Sequence, residues 1–274
     1  MRPVLFIIFL LSAISLHAQT YRYIYELSYR PSLKDDAHEN MYMVLDVNPD
    51  ETKYYDYSFL EKDSLNRLHH TQNTSWSEQI PVKRKRNSTE NSNFVMIGND
   101  IFVYKTNDKI DWTLSDETQK IENMTCQKAS ANFGGREWTA WFTKDIPISE
   151  GPYKFQGLPG LIVQLKDSES DFIFHLVKNK NLPQTYDTSD FLEVRYGNKP
   201  IAVTEKTVYR KAKEFFNDPF IEIRQKMKTD KSFRFEANGV KYETKDLDLL
   251  TKQQQKEILE NYNPLEKNKN FFAQ

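Results

Sequence analysis

Gly151-Pro-Tyr-Lys-Phe-Gln-Gly-Leu-Pro-Gly-Leu-Ile162 packs three glycines and two prolines into twelve residues, in a chain of 274 residues with eight glycines in all. That density prescribes the backbone, because proline fixes φ and glycine opens conformations closed to other residues. Leu158-Pro159-Gly160-Leu161 has the chemistry of a type II turn, with proline at the second position and glycine at the third. Such a turn would launch Leu161, Val163 and Leu165 inward from a strand of fixed register. Gly157, Leu158, Pro159 and Gly160 are therefore read as a structural turn motif. The competing reading, glycine admitting a ligand close to the backbone, is less economical, since turn chemistry explains every residue type present.

Outward from this block the dominant period is two. Before it, Tyr21–Arg30, Asn40–Asn48, Thr52–Ser58, Asn93–Ile97, Ile101–Lys105, Lys109–Leu114, Gln119–Phe133 and Arg136–Thr143 read as strands. After it come Leu161–Lys166 and Asp171–Lys178. Asn48-Pro-Asp50, Gly98-Asn-Asp100 and Gly134-Gly135 supply turns, and Ser58–Leu68 a short helix. Residues 69–92 are polar, and their basic run Lys83-Arg-Lys-Arg86 reads as a solvated loop. No βαβ alternation is present, which disfavours a doubly wound sheet. Beyond residue 200 the pattern turns helical. Thr204 caps Glu205–Phe216, Asn217-Asp-Pro219 ends that helix and opens another, and Leu247–Tyr262 forms the last. Phe233–Phe235 and Val240–Tyr242 frame a hairpin. The predicted fold is mainly β: a curved antiparallel meander sheet or half-barrel over residues 19–200, followed by two or three helices in a mostly helical part, 201–274.

Residues 1–18 read as a signal peptide, with Arg2, an apolar run from Val4 to Leu11, and Leu16-His-Ala18 before the cut. The run is shorter than the roughly 20 residues a membrane span needs. Cleavage leaves 256 residues and moves the formal net charge from −1 to −2. That balance gives no reason to expect nucleic acid as a partner, nor electrostatic docking on acidic lipid. The mature chain is expected to be exported, without a transmembrane segment. Its tail reads as helical, with no β-rich sorting module evident, so the periplasm is expected in preference to the cell exterior. Cys126 is the only cysteine, so no internal disulfide is possible, and a buried, inert thiol is expected.

Thr125-Cys-Gln-Lys-Ala129, Gly135-Arg-Glu-Trp-Thr-Ala-Trp141, Ile146-Pro147, Gly151-Pro-Tyr-Lys-Phe155 and Gly157-Leu-Pro-Gly-Leu-Ile162 occur in the order and spacing of a known signature. In these stretches, and in Asn261-Tyr-Asn-Pro-Leu-Glu266, the chain resembles the Bacteroidetes GLPGLI family. The resemblance is strong over some forty-five central residues and loose elsewhere. It implies an exported, β-rich bacterial protein, and it brings no substrate, cofactor or catalytic residue.

Candidate binding residues therefore come from residue chemistry. Arg136, Glu137, Trp138 and Trp141 share one strand, with Tyr153 and Lys154 soon after. Indole beside carboxylate and cation suits a sugar or an amphipathic ligand. The bland alternative is an ion pair of Glu137 with Arg136 or Lys154 over packed tryptophan. Catalysis would need Glu137 to find a second carboxylate, Asp145 or Glu150, as in a hydrolase of envelope glycan or peptide. No catalytic residue is assigned. The histidines left after cleavage, His38, His69, His70 and His175, lack ligand spacing, so neither metal nor cofactor is expected. Asp63-Ser64-Leu65 resembles a short O-glycosylation pattern, with Ser64 as acceptor. The expected role is non-enzymatic: binding an unknown ligand or an outer-membrane or envelope protein through the curved sheet. A purely structural assembly component is a further alternative.

Overall fold

The alternation resolves into one sheet of twelve strands in a computed structural model that describes residues 19–34, 36–73, 81–194, 199–237 and 239–269. The expected signal peptide, residues 1–18, lies outside the described residues. The first half of the sheet is β1 (Thr20–Tyr29), β2 (Glu39–Val47), β3 (Glu51–Asp56), β4 (Val82–Lys85), β5 (Glu90–Ile97) and β6 (Asp100–Asn107), with α1 (Ser58–His69) between β3 and β4. The second is β7 (Thr113–Ile121), β8 (Met124–Phe133), β9 (Arg136–Thr143), β10 (Leu161–Asp167) and β11 (Phe172–Leu182). Then follow β12 (Ile201–Ala202), α2 (Glu205–Asn217), α3 (Ile221–Thr229), the small hairpin β13 (Phe235–Ala237) and β14 (Val240–Tyr242), and α4 (Leu247–Glu260). The fold is mainly β, a large open curved sheet with its later helices at the C-terminal end.

Each half is an antiparallel meander, and β1 pairs with β11 to join them in the order β12-β6-β5-β4-β3-β2-β1-β11-β10-β9-β8-β7. This order dictates the curl. β6 and β7 stand ten strand spacings apart, about 48 Å in a flat sheet. Residues 108–112 join them, and such a link reaches only about 20 Å. The sheet therefore bends back until its two ends approach. The concave side holds the core: Tyr23, Tyr25 and Leu27 of β1, Met43 and Leu45 of β2, Trp138 and Phe142 of β9, and Phe174 of β11. On the outer side α1 covers β2 and β3 through Val44, Tyr55, Phe59 and Leu60, and Leu192 joins them. Against β5 and β6, Val208 of α2 packs on Phe102 and Tyr104.

The Gly/Pro block fills the curl. Phe155, Leu158, Leu161 and Ile162 are fully buried, and the Tyr25 hydroxyl donates to the Ile162 carbonyl at 2.7 Å. The turn differs from the expected type II. The Gly160 N–H donates to the Leu158 carbonyl at 2.8 Å, a three-residue γ-turn centred on Pro159, whose fixed φ suits that position. Gly160 is required by space, because a Cβ there would lie 2.0 Å from the Thr143 carbonyl oxygen. Gly157 carries the left-handed backbone, at φ +98°.

Three further segments depart from the sequence reading. Val82–Lys85, which takes in most of the basic run, is β4 rather than loop, and Arg84 points into the core, where it pairs with Glu150. Residues 109–112 cross between the ends of the sheet, and β7 starts only at Thr113. The long strand read over Gln119–Phe133 is broken at Glu122, whose φ of +50° makes a hairpin turn without glycine. The capping is as read: the Thr204 hydroxyl accepts from the Thr207 N–H at 3.2 Å. Cys126 is fully buried.

Candidate functional site

Strand alternation divides the six candidate residues between two faces. Arg136 and Trp138 point to the concave side with the buried Tyr153 and Lys154, whereas Glu137 is exposed and Trp141 half-buried on the outer side. They do not form one surface, because a side-chain period of two sends neighbours on β9 to opposite faces.

Of the inward four, Arg136, Tyr153 and Lys154 belong to polar networks that bind the tail into the core, and Trp138 bonds within its own hairpin. The Arg136 guanidinium donates to Asp167 and Asp171, both at 2.8 Å, to Asn263 at 2.5 Å, and to the carbonyls of Leu265 and Pro264 at 3.2 and 2.9 Å. The Trp138 indole N–H donates to the Phe133 carbonyl at 3.0 Å. Glu266 accepts from the Tyr153 hydroxyl and from Lys154 Nζ, each at 2.6 Å. Lys154 also lies 3.2 Å from Asp108. Burial alone would raise the Asp108 carboxyl, but Lys154, the Thr106 hydroxyl and Lys269 hold it below its ordinary value. Burial likewise pushes the Tyr153 phenol well above 10, reinforced by Glu266. Every cation here already has its carboxylate, so these groups are a scaffold, and they occupy the concavity in which a ligand was expected.

The outer face is different. Register aligns one side chain from each of six strands: Lys128 opposite Trp141, Trp141 opposite Gln164, Gln164 opposite His175, His175 opposite Glu26, and Glu26 opposite Tyr42. From Trp141 to Tyr42 is four strand spacings, about 19 Å. Tyr57 extends the row, its ring edge-on to Tyr42 at 6.5 Å. Lys128 stacks over the Trp141 ring at 5.8 Å and pairs with Glu117 at 2.7 Å. Glu122 of the β7–β8 turn approaches His175 at 3.9 Å. Beside this row runs a second, Ser130, Thr139, Lys166, Ile173, Ser28 and Asn40, aligned by the same pairings. The result is an indole and a phenol standing at either end of a floor of amide, imidazole, carboxylate and hydroxyl groups. Gln164, Glu26 and Tyr42 were not picked out from the sequence, because only cross-strand register brings them beside Trp141.

A family model described as a protein of unknown function (Porph_ging) matches residues 134–164. That stretch is β9, the loop filling the curl, and the first part of β10. Two crystal structures of PNGF-II, in space groups C2 and P21, are similar to the chain with TM-scores of 0.52 and 18% identity over 71% of its length. The match spans 33% of PNGF-II, so the chain corresponds to about a third of that protein. At this identity the likeness is one of fold. No curated protein sequence matches the chain.

The remaining candidates are placed as follows. Glu137 and Asp145 cannot form a catalytic pair. Glu137 to the end of β9 at Thr143 already spans about 20 Å, against the roughly 5–9.5 Å that two cooperating carboxylates need. Glu150 is buried on Arg84 across the core. Ser64 is exposed on α1, while Asp63 is buried and accepts from Arg67 and the Tyr186 hydroxyl. Among the described residues no group of three metal-ligating side chains converges, and no helix is long and apolar enough to cross a membrane.

Proposed function

We propose that this is an exported envelope protein of the GLPGLI type that binds an extended, hydroxyl-rich ligand, a glycan strand, across the outer face of its sheet. The observation that carries this reading is the row from Trp141 to Tyr42. Aromatic rings stack on the apolar faces of sugar rings, and amide, imidazole and carboxylate groups satisfy hydroxyls. The mixed charge of Lys128, Glu26 and Lys166 suits a neutral polymer better than a charged one. The signature around Gly157–Ile162 and the reading of residues 1–18 support export, with the periplasm as the compartment.

The test is tryptophan fluorescence and calorimetry with soluble peptidoglycan fragments and neutral β-glucan oligosaccharides. Trp141→Ala and Tyr42→Ala should each weaken binding about tenfold, the 1–3 kcal/mol expected of a stacking aromatic, at a temperature where both variants are folded by circular dichroism. Saturable binding that both variants leave intact would sink the proposal, as would no binding at all.

A further inference from the structure

A cleft of about 900 Å³ opens where the β5–β6 hairpin, α2, α4 and the adjoining ends of β1 and β2 meet. It arises from strand length. Val82 at the start of β4 pairs with Asn93, so β5 continues to Ile97 past its neighbour, and α2 and α4 close over the extension without filling it. Its walls are mostly apolar, from Val95 and Ile97 of β5, Val208 and Phe215 of α2, and Ile258 of α4. The volume lies within the range of sites for small organic ligands, about 300–1,000 Å³.

The charge of the lining is one-sided. Among the described residues, Glu39 and Glu257 are the only ionisable acids or bases of the lining other than tyrosine, and it holds no lysine, arginine or histidine. Neither carboxylate is in an ion pair among the described residues; Glu39 accepts only the Tyr29 hydroxyl, at 2.9 Å. Cations near this end of the sheet are committed elsewhere. Arg30 pairs with Asp36 and Asp171, and Lys34 with Glu260. We propose that the cleft binds a small cationic amphiphile, an apolar body seated on Val95, Ile97, Phe215 and Ile258 with a protonated amine at Glu39 and Glu257. A carboxylate at the edge of an apolar wall is stabilised by a cation that arrives with the apolar group. The same pair repels an anionic amphiphile such as a fatty acid. This site is independent of the outer row that carries Trp141.

The experiment is isothermal titration of the full chain with three probes below their micelle concentrations: dodecylammonium, dodecanoate and butylammonium. The proposal expects saturable one-to-one binding of dodecylammonium, with dodecanoate and butylammonium at least tenfold weaker. Glu39→Gln with Glu257→Gln should lower dodecylammonium affinity at least tenfold, and Ala212→Trp should fill the cleft and abolish binding. Trp141→Ala should leave it unchanged. Equal affinity for dodecylammonium and dodecanoate would overturn the proposal, as would full affinity in the glutamine double variant or uptake without saturation. The double variant alters two solvent-exposed side chains, so it remains decisive if Ala212→Trp fails to fold. A lysine-containing apolar peptide that binds where dodecylammonium does not would also refute a small-molecule occupant.

Discussion

Gly160→Ala isolates the reason for glycine in the Gly/Pro block. The added Cβ would stand 2.0 Å from the Thr143 carbonyl oxygen and 2.7 Å from its carbon. Both are backbone atoms at the end of β9, in register with Leu161 of β10 and Cys126 of β8. Relief therefore requires the γ-turn and β9 to separate by more than about 1 Å to restore ordinary contact. That shift would pull the buried Leu158 and Leu161 out of their packing. Overpacking of this kind costs about 1–3 kcal/mol, and relief by backbone movement belongs at the upper end, about 3 kcal/mol. For a chain of this size that lowers the melting temperature by about 6–12 °C. Gly157→Ala is the control. Its φ of +98° makes alanine strained, but the nearest atom to the new Cβ is the Trp112 ring at 3.8 Å, so about 1 kcal/mol is expected. Calorimetric melting of both variants beside the parent decides the matter. Equal losses, or a Gly160→Ala loss under about 1 kcal/mol, would show that the close approach to Thr143 is not what demands glycine.

Two further outcomes follow from the interior networks. Lys154→Met leaves Glu266 and Asp108 buried without their nearest cation and should cost about 3–5 kcal/mol in urea unfolding; adding Glu266→Leu should recover part of that loss. Stability should also fall at both ends of the pH scale. The carboxyls of Asp108 and Asp171 are held below their ordinary values, the latter by Arg136 and Asn263 against the opposing effect of burial. Their contribution is complete above the unfolded pKa, about 4, and disappears as pH drops through the lower folded values. At the alkaline end, Lys269 is raised because Glu266, Asp108 and Glu205 outweigh its burial, and burial raises the phenols of Tyr25 and Tyr54. Those contributions are intact below about pH 10 and diminish above it. Urea midpoints from pH 2 to 11 should therefore form a plateau with two falling shoulders, and a midpoint that does not decline below pH 4 would contradict the network.

Strands were legible where inward positions are apolar or aromatic and turns carry glycine, as in Tyr23, Tyr25 and Leu27 on β1 or Gly98 between β5 and β6. They were illegible where ion pairs replace apolar contacts. Arg84 of β4 is a core residue only because Glu150 meets it from a loop far along the chain, and composition made its surroundings look like a solvated tract. Glu122 turns the chain with no glycine to mark it. The candidate site failed for a related reason. Alternation separates Trp138 from Trp141 correctly, but no local pattern shows that Tyr153 and Lys154 turn inward to meet Glu266. Nor does one show that β1 pairs with β11, which alone brings Glu26 and Tyr42 into line with His175.

The placement of Leu265 and Glu266 inside the curl bears on how the polypeptide matures. β1 waits for β11 before its second edge is covered, and Lys154 stays without its closest counter-ion until Glu266, 112 residues further on, has been made. The central block is therefore completed only by residues that follow it in the chain, and until they arrive its hydrophobic strands depend on being shielded from one another.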